Sequence, residues 1–209
     1  MSPPTTTATG FALVTPGDWI VLPLAPETRD RRIAKLVESH VGRADNIAHL
    51  RRQTIVQFRK AAAQAQERGA FFAALHSGSA QGIPMSASVL AFLVPAATGP
   101  DGELLGDVDE VAAAISEPGA GEVLERSTVD LAVGRAVRVR KLVRSGLRGT
   151  DGREPRSDSV QFFVPLPEAD HLLVLTFATP ILPLGDAYAE LFDAMAATAR
   201  WRPAGEEAT

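Results

Sequence analysis

The chain has 209 residues, 45% of them hydrophobic and 22% charged, with no cysteine and a formal net charge of −4. That length and apolar content are enough for a core that needs no staple, and the missing thiols exclude disulfides, thiolate nucleophiles and cysteine-ligated zinc. Twenty-one basic residues against 25 acidic ones supply no field able to displace counterions from phosphates, which argues against a nucleic-acid partner.

The opening Met-Ser-Pro-Pro-Thr-Thr-Thr-Ala-Thr-Gly has neither a basic start nor an apolar stretch. It reads as a disordered lead over 1–10 and not as a signal peptide. No run of about 20 apolar residues follows that could span a bilayer. The expectation is a cytoplasmic chain without membrane insertion. Residues 11–14 and 19–24 are β-prone and flank the turn signal Thr15-Pro16-Gly17-Asp18. Ile33, Leu36, Val37 and Val41 then recur at helical spacing. Gly42 is expected to end that helix and Asp45 to cap the next. The second helix shows Ile47, Leu50, Thr54, Phe58, Ala61 and Ala65 on one face.

From 71 the period changes. Strands are predicted over 71–75 and 88–94, bracketing a Ser/Gly loop, with a further loop over 97–106. Asp107-Val108-Asp109-Glu110 matches a capping box opening a short helix that stops by Pro118. Four strands follow, over 122–133, 136–143, 159–165 and 171–178. In the second, Val137, Val139 and Val143 share one face while Arg138, Arg140 and Arg144 share the other. That alternation predicts one face on the core and one in water. Lys141 falls on the apolar side, which predicts a bulge or strand end beside it. Residues 171–178 are apolar on both faces, as a strand in the middle of a sheet requires. Leu184, Tyr188, Leu191, Phe192 and Met195 form the stripe of a last helix, and 204–209 are a polar tail.

The fold class is therefore α+β. A single domain over 11–203 is expected, an antiparallel sheet of about six strands packed by helices, with a two-helix segment after the first strands. Trp19, Leu22, Phe58, Val137, Val139, Phe162, Leu173, Leu175, Phe177, Leu191 and Phe192 are expected in one core.

Reactive groups are sparse. The histidines are His40, His49, His76 and His171; none forms the close pair that zinc needs on a helix. Gly78-Ser79-Ala80-Gln81-Gly82 has the outline of a nucleophile elbow, but Ala80 stands where the serine should be, and a flexible hairpin loop is the expectation. The loop 146–153 has three glycines but no following helix to cradle a phosphate. Acidic residues crowd 101–130, among them Asp101, Glu103, Asp107, Asp109 and Glu110, without a calcium-loop spacing. No catalytic residue, cofactor or metal is expected. The most distinctive feature is the arginine row Arg135, Arg138, Arg140, Arg144, Arg148, Arg153 and Arg156. Guanidinium forks recognise carboxylates bidentately, which makes Arg138, Arg140 and Arg144 candidate partner-binding residues. The other reading of that row is a solvated strand face answering the acidic segment before it.

Pro16-Gly17-Asp18-Trp19 before an apolar strand, the paired arginine-rich helices, and Leu173-Val174-Leu175-Thr176-Phe177-Ala178-Thr179-Pro180 before a helix closing on Arg200-Trp201 resemble a group of uncharacterised actinobacterial proteins. More distantly, the order of elements is similar to the Mog/PsbP-like fold. That resemblance implies an antiparallel sheet opened by the Trp19 strand and closed by a packed last helix. It also implies a binding role, since members of that fold are mostly binding modules with no shared catalytic set to transfer. The functional expectation is a non-catalytic protein-binding adaptor or chaperone-like module. The alternative is a small-molecule-binding protein or enzyme with a pocket between sheet and helices.

Overall fold

Two antiparallel meanders meet side by side. The computed structural model describes residues 10–41, 48–80, 83–96, 107–114, 121–144, 156–166 and 170–201. Within them β1 (Phe11–Ala12) and β2 (Trp19–Val21) precede helices α1 (Pro26–Val41) and α2 (Ala48–Glu67). Strands β3 (Ala70–Ala80) and β4 (Ile83–Pro95) lead to α3 (Val108–Ala114). Strands β5 (Glu122–Leu131), β6 (Gly134–Arg144), β7 (Arg156–Leu166) and β8 (His171–Thr179) follow, then α4 (Gly185–Ala197) and β9 (Arg200–Trp201). The first meander is β2-β3-β4 and the second β5-β6-β7-β8. They join through β4 and β8 into one seven-stranded antiparallel sheet ordered β2-β3-β4-β8-β7-β6-β5. A separate ribbon pairs β1 with β9, Phe11 opposite Trp201.

Strand β8 lies in the middle, as its two apolar faces require: Leu173, Leu175 and Phe177 pack on one side of the sheet, Leu172 and Val174 on the other. The sheet is covered on both faces, so it divides the core. One side holds Trp19, Phe162, Leu173, Leu175, Phe177 and Phe192 under α4. On the other, Leu22 and Phe58 pack with α1 and α2, while Val137 and Val139 pack under Val108 and Val111 of α3. The single core expected from sequence is therefore three clusters, one on one face of the sheet and two on the other with Phe92 packed against both. Leu191 of that set is only half-buried.

The helices follow from local signals. Helix α1 opens with Pro26, whose missing N–H costs nothing at a first helical position, and buries Ile33 and Val37 one turn apart. Helix α2 buries Phe58, Ala62 and Ala65; Leu50, assigned to the same stripe, is 52% exposed in the first turn, before the buried stretch begins. The capping box of α3 forms: Asp107 Oδ1 accepts the Asp109 N–H at 2.7 Å, and the Glu110 carboxylate accepts the Asp107 N–H at 3.3 Å.

The expected antiparallel sheet of about six strands is present with seven, since the two meanders share it. Other sequence expectations need correction. Residues 78–80 are not loop: the β3/β4 ladder continues through Gly78↔Met85 to Ala80↔Ile83. The irregularity expected at Lys141 sits on the facing strand, where the register shifts between Val123 and Glu125 opposite Lys141 and Arg140. The lead 1–9, Gly42, Asp45, Ile47, the loops 97–106 and 145–155, Pro118 and the tail lie outside the described residues.

Candidate functional site

Strand alternation does place Arg138, Arg140 and Arg144 together opposite Val137 and Val139, but α4 covers that face. Arg138 is 5% exposed, its Nε donating to Asp193 of α4 at 2.6 Å and its NH1 to Glu125 of β5 at 2.8 Å. Burial disfavours the Arg138 charge, and the hydrogen bonds to Asp193 and Glu125 outweigh it, so its pKa stands above the ordinary value. Arg140 grips Asp158 of β7 bidentately, Nε at 3.1 Å and NH2 at 2.7 Å, and its NH1 reaches Asp186 at 2.7 Å. The hydrogen bonds to Asp158, against the cost of burial, and then those to Asp186 raise the Arg140 pKa. Arg144 is exposed at the far end of β6, opposite Arg156. The solvated-face expectation thus fails for Arg138 and Arg140, which clamp α4 and the β5/β6/β7 strands together.

Helix α4 begins with a glycine for this reason. A Cβ on Gly185 would collide with Asp158 Oδ2 and lie 2.9 Å from Arg140 NH2. Asp158 is itself buried and held by Arg140, so it has no free direction in which to yield. Gly185→Ala is expected to cost about 1–3 kcal/mol in urea unfolding, although Ala is normally the better helix residue. A stabilised variant would show that Asp158 moves freely.

Between α4 and β5 the cluster floors an open cleft of about 360 Å³, with Arg138 and Arg140 facing Glu125, Asp186, Glu190 and Asp193. The guanidinium groups are answered within the chain. Ser127 also lines the cleft, and the ion pairs there hold α4 against β5, β6 and β7.

A second pocket, about 310 Å³, opens between α2 and the ends of β3, β4 and β8, lined by Phe58, Ala61, Leu75, His76, Ser86 and Pro180. His76 Nε2 lies 2.9 Å from Asp18 Oδ2 and the ring stacks on Trp19. This is a base and its orienting carboxylate without the third member: among the described residues no serine hydroxyl is bonded to His76. No group of three or more His, Asp or Glu side chains among the described residues is placed to hold a metal. Dialysis against a chelator is expected to leave Tm unchanged, and a fall of several degrees would reveal a site that folds with its metal.

The third place is the sheet edge. Strand β2 ends the sheet with three residues, whereas β5 ends it with ten. At its start Val123 and Leu124 are 54% and 45% exposed. Only two residues separate Leu131 from its partner Gly134, so that closing pair exchanges both backbone hydrogen bonds. Alternation then directs the N–H and C=O groups of Val129 and Ser127 towards β6, and those of Asp130, Thr128 and Arg126 away from it, where no strand among the described residues pairs with β5. Sequence could not reveal this. The strand itself was legible, but its edge position follows from the pairing of β8 with β4, whose partners lie 76 (Pro95↔His171) or more residues apart in the chain.

No protein-family model matches the chain, and no curated protein matches it. Among solved structures, LpqN of Mycobacterium tuberculosis, involved in cell envelope biogenesis, is similar at 9% identity and a TM-score of 0.45, covering 95% of this chain and 88% of its own. A protein of unknown function from Pseudomonas aeruginosa, PA94, is similar at 17% identity and a TM-score of 0.39, covering 60% and 78%. No helix among the described residues is long and apolar enough to cross a membrane.

Proposed function

We propose that this chain is a non-catalytic protein-binding module that receives an extended polypeptide along the open edge of β5. The observation that carries the reading is the ten-residue strand that ends the sheet among the described residues, with backbone groups at Thr128 and Asp130 directed away from β6 and exposed Val123 and Leu124 nearby. An incoming strand gains main-chain hydrogen bonds from such an edge and specificity from alternate side chains. The resemblance to the Mog/PsbP-like fold, whose members are mostly binding modules, points the same way. The arginine clamp supports the role indirectly: it ties β5 and β6 to α4 through Arg138, so the edge is held rigid when a partner arrives.

The competing reading is a small-molecule site in the pocket beside His76, which has the required place between helix and sheet. Photo-crosslinking separates the two. A photoreactive residue at position 128 is expected to capture a polypeptide in cells of the native host, and the same residue at position 57, in the pocket wall, is not. Adducts at 57 with none at 128, or none at either, would overturn the edge reading.

A further inference from the structure

We infer that the outer face of α1 and α2 docks the chain on an anionic phospholipid surface, helices down and without insertion. The inference stands apart from the edge reading, since these helices cover the β2-β3-β4 end of the sheet and β5 ends the other. Charge is unevenly divided along the chain. Helices α1 and α2 carry eight basic and four acidic side chains, a net of +4, in a chain whose net charge is −4. Everything outside them therefore totals −8. The basic excess also points outward. Arg31, Arg32 and Lys35 of α1 and Arg52 and Lys60 of α2 are exposed, and none has an ion pair among the described residues. Of the four carboxylates, Asp30 is taken by Arg29 and Arg59, and Glu38 has a partner of its own. Glu27 and Glu67 stand in the first turn of α1 and the last of α2.

Helix geometry gathers these cations around one apolar side chain. A short connection makes the two helices antiparallel neighbours, and Arg59 NH2 donates to the Asp30 carbonyl at 3.3 Å. With equal rise along both helices, Val56 comes level with Ile33. Ile33 and Val37 point into the core, which turns Arg31, Arg32 and Lys35 to the opposite side of α1. On α2 the line Arg52, Val56, Lys60 runs at four-residue spacing opposite buried Phe58 and Ala65. Val56 is 63% exposed, the most of any large apolar side chain among the described residues. Five cations thus surround one aliphatic group, and Phe58, the one phenylalanine of the two helices, is buried beneath them. Lipid headgroups suit this face: phosphates meet the cations while Val56 reaches the boundary between headgroups and acyl chains. A protein partner would want aromatic anchors at the centre of the contact. Single-stranded nucleic acid would need rings to stack on, and a duplex backbone gains nothing from Val56. Docked helices down, the chain puts a layer about 10 Å thick between the phosphates and the sheet, more than the Debye length of about 8 Å. The acidic remainder is then screened from the surface that attracts the helices.

Co-sedimentation of the full chain with sucrose-loaded vesicles tests this. Binding is expected to phosphatidylglycerol mixed into phosphatidylcholine at ~50 mM salt, and not to phosphatidylcholine alone. It should be lost at ~0.5 M salt, where the Debye length is about 4 Å. Arg32→Gln, Lys35→Gln, Arg52→Gln and Lys60→Gln are each expected to weaken binding about fivefold. Arg135→Gln, at the exposed β5–β6 turn, should change it less than about twofold. Glutamine is nearly as good a helix former as the residues it replaces, so unchanged melting curves exclude misfolding as the cause. The chain has no cysteine, which lets Val56→Cys carry a single polarity-sensitive dye. Its emission should shift to the blue on the anionic vesicles, and the same dye on Arg135→Cys should not respond. No binding at low salt overturns the inference. So does binding that Arg135→Gln weakens as much as Lys35→Gln, or a dye at position 56 that stays in water on bound chains. Equal capture by poly-glutamate or a DNA duplex at the same salt, weakened by the same variants, would show a general polyanion site and overturn the lipid assignment. None of these results touches the β5 edge reading, which the crosslinks at position 128 decide.

Discussion

Replacing Arg140 by Met is expected to lower stability by about 3–5 kcal/mol, the cost of leaving a buried carboxylate without its counter-ion. Asp158 is the group at stake: its side chain is 5% exposed and its two oxygens accept from Arg140. The other partner of Arg140 matters far less. Asp186 is 93% exposed, so Asp186→Asn should cost about 0–1 kcal/mol. The double variant Arg140→Met with Asp158→Leu is expected to recover most of the loss, because removing both charges leaves nothing uncompensated. Urea unfolding of the three variants decides the matter. A loss under about 1 kcal/mol for Arg140→Met would mean that water reaches Asp158.

The solvated-face reading of the same strand makes the opposite forecast, near-neutral replacement of Arg138, Arg140 and Arg144 together by Ser. The difference shows what a sequence pattern reports. A period of two established that the arginines share a face, and they do. It could not report that a helix more than 40 residues later would lie over that face with Asp186 and Asp193 aimed at it. Charged residues read as solvated because burying a lone charge is costly; here each buried guanidinium brings two carboxylates, and of these only Glu125 lies in the acidic segment just before the row, while Asp158, Asp186 and Asp193 come later in the chain. Local features were legible for the converse reason. The α3 capping box spans four residues, and the apolar run of β8 announces a central strand by itself. Leu50 was misplaced because helical spacing extends back along α2 beyond the stretch, Phe58 to Ala65, whose residues are buried. The candidate site was the least legible part, since an edge is defined by the strand that is not there.

Phe177→Ala is expected to cost about 3–5 kcal/mol, the range for emptying a fully buried aromatic position. Phe177 is completely buried on β8, in register with Val89 of β4 and Val160 of β7. Its ring meets Phe162 edge-on with centroids 5.8 Å apart and stacks on Phe192 of α4 at 5.1 Å. Neighbours fixed in sheet backbone cannot collapse into the void, which places the cost at the upper end of that range. Leu182→Ala on the exposed approach to α4 should stay within about 0.5 kcal/mol. Helix α4 is held by two independent kinds of contact, the aromatic stack under its middle and the carboxylates Asp186 and Asp193 on Arg140 and Arg138. Loosening the stack should therefore weaken the ion pairs that depend on the helix position. The Phe177→Ala and Arg140→Met losses are expected to be non-additive by about 0.5 kcal/mol or more in a double-mutant cycle. Strict additivity would show that the stack and the clamp fix different parts of α4, and a Phe177→Ala loss below about 1 kcal/mol would show that α4 does not pack on β8 at all.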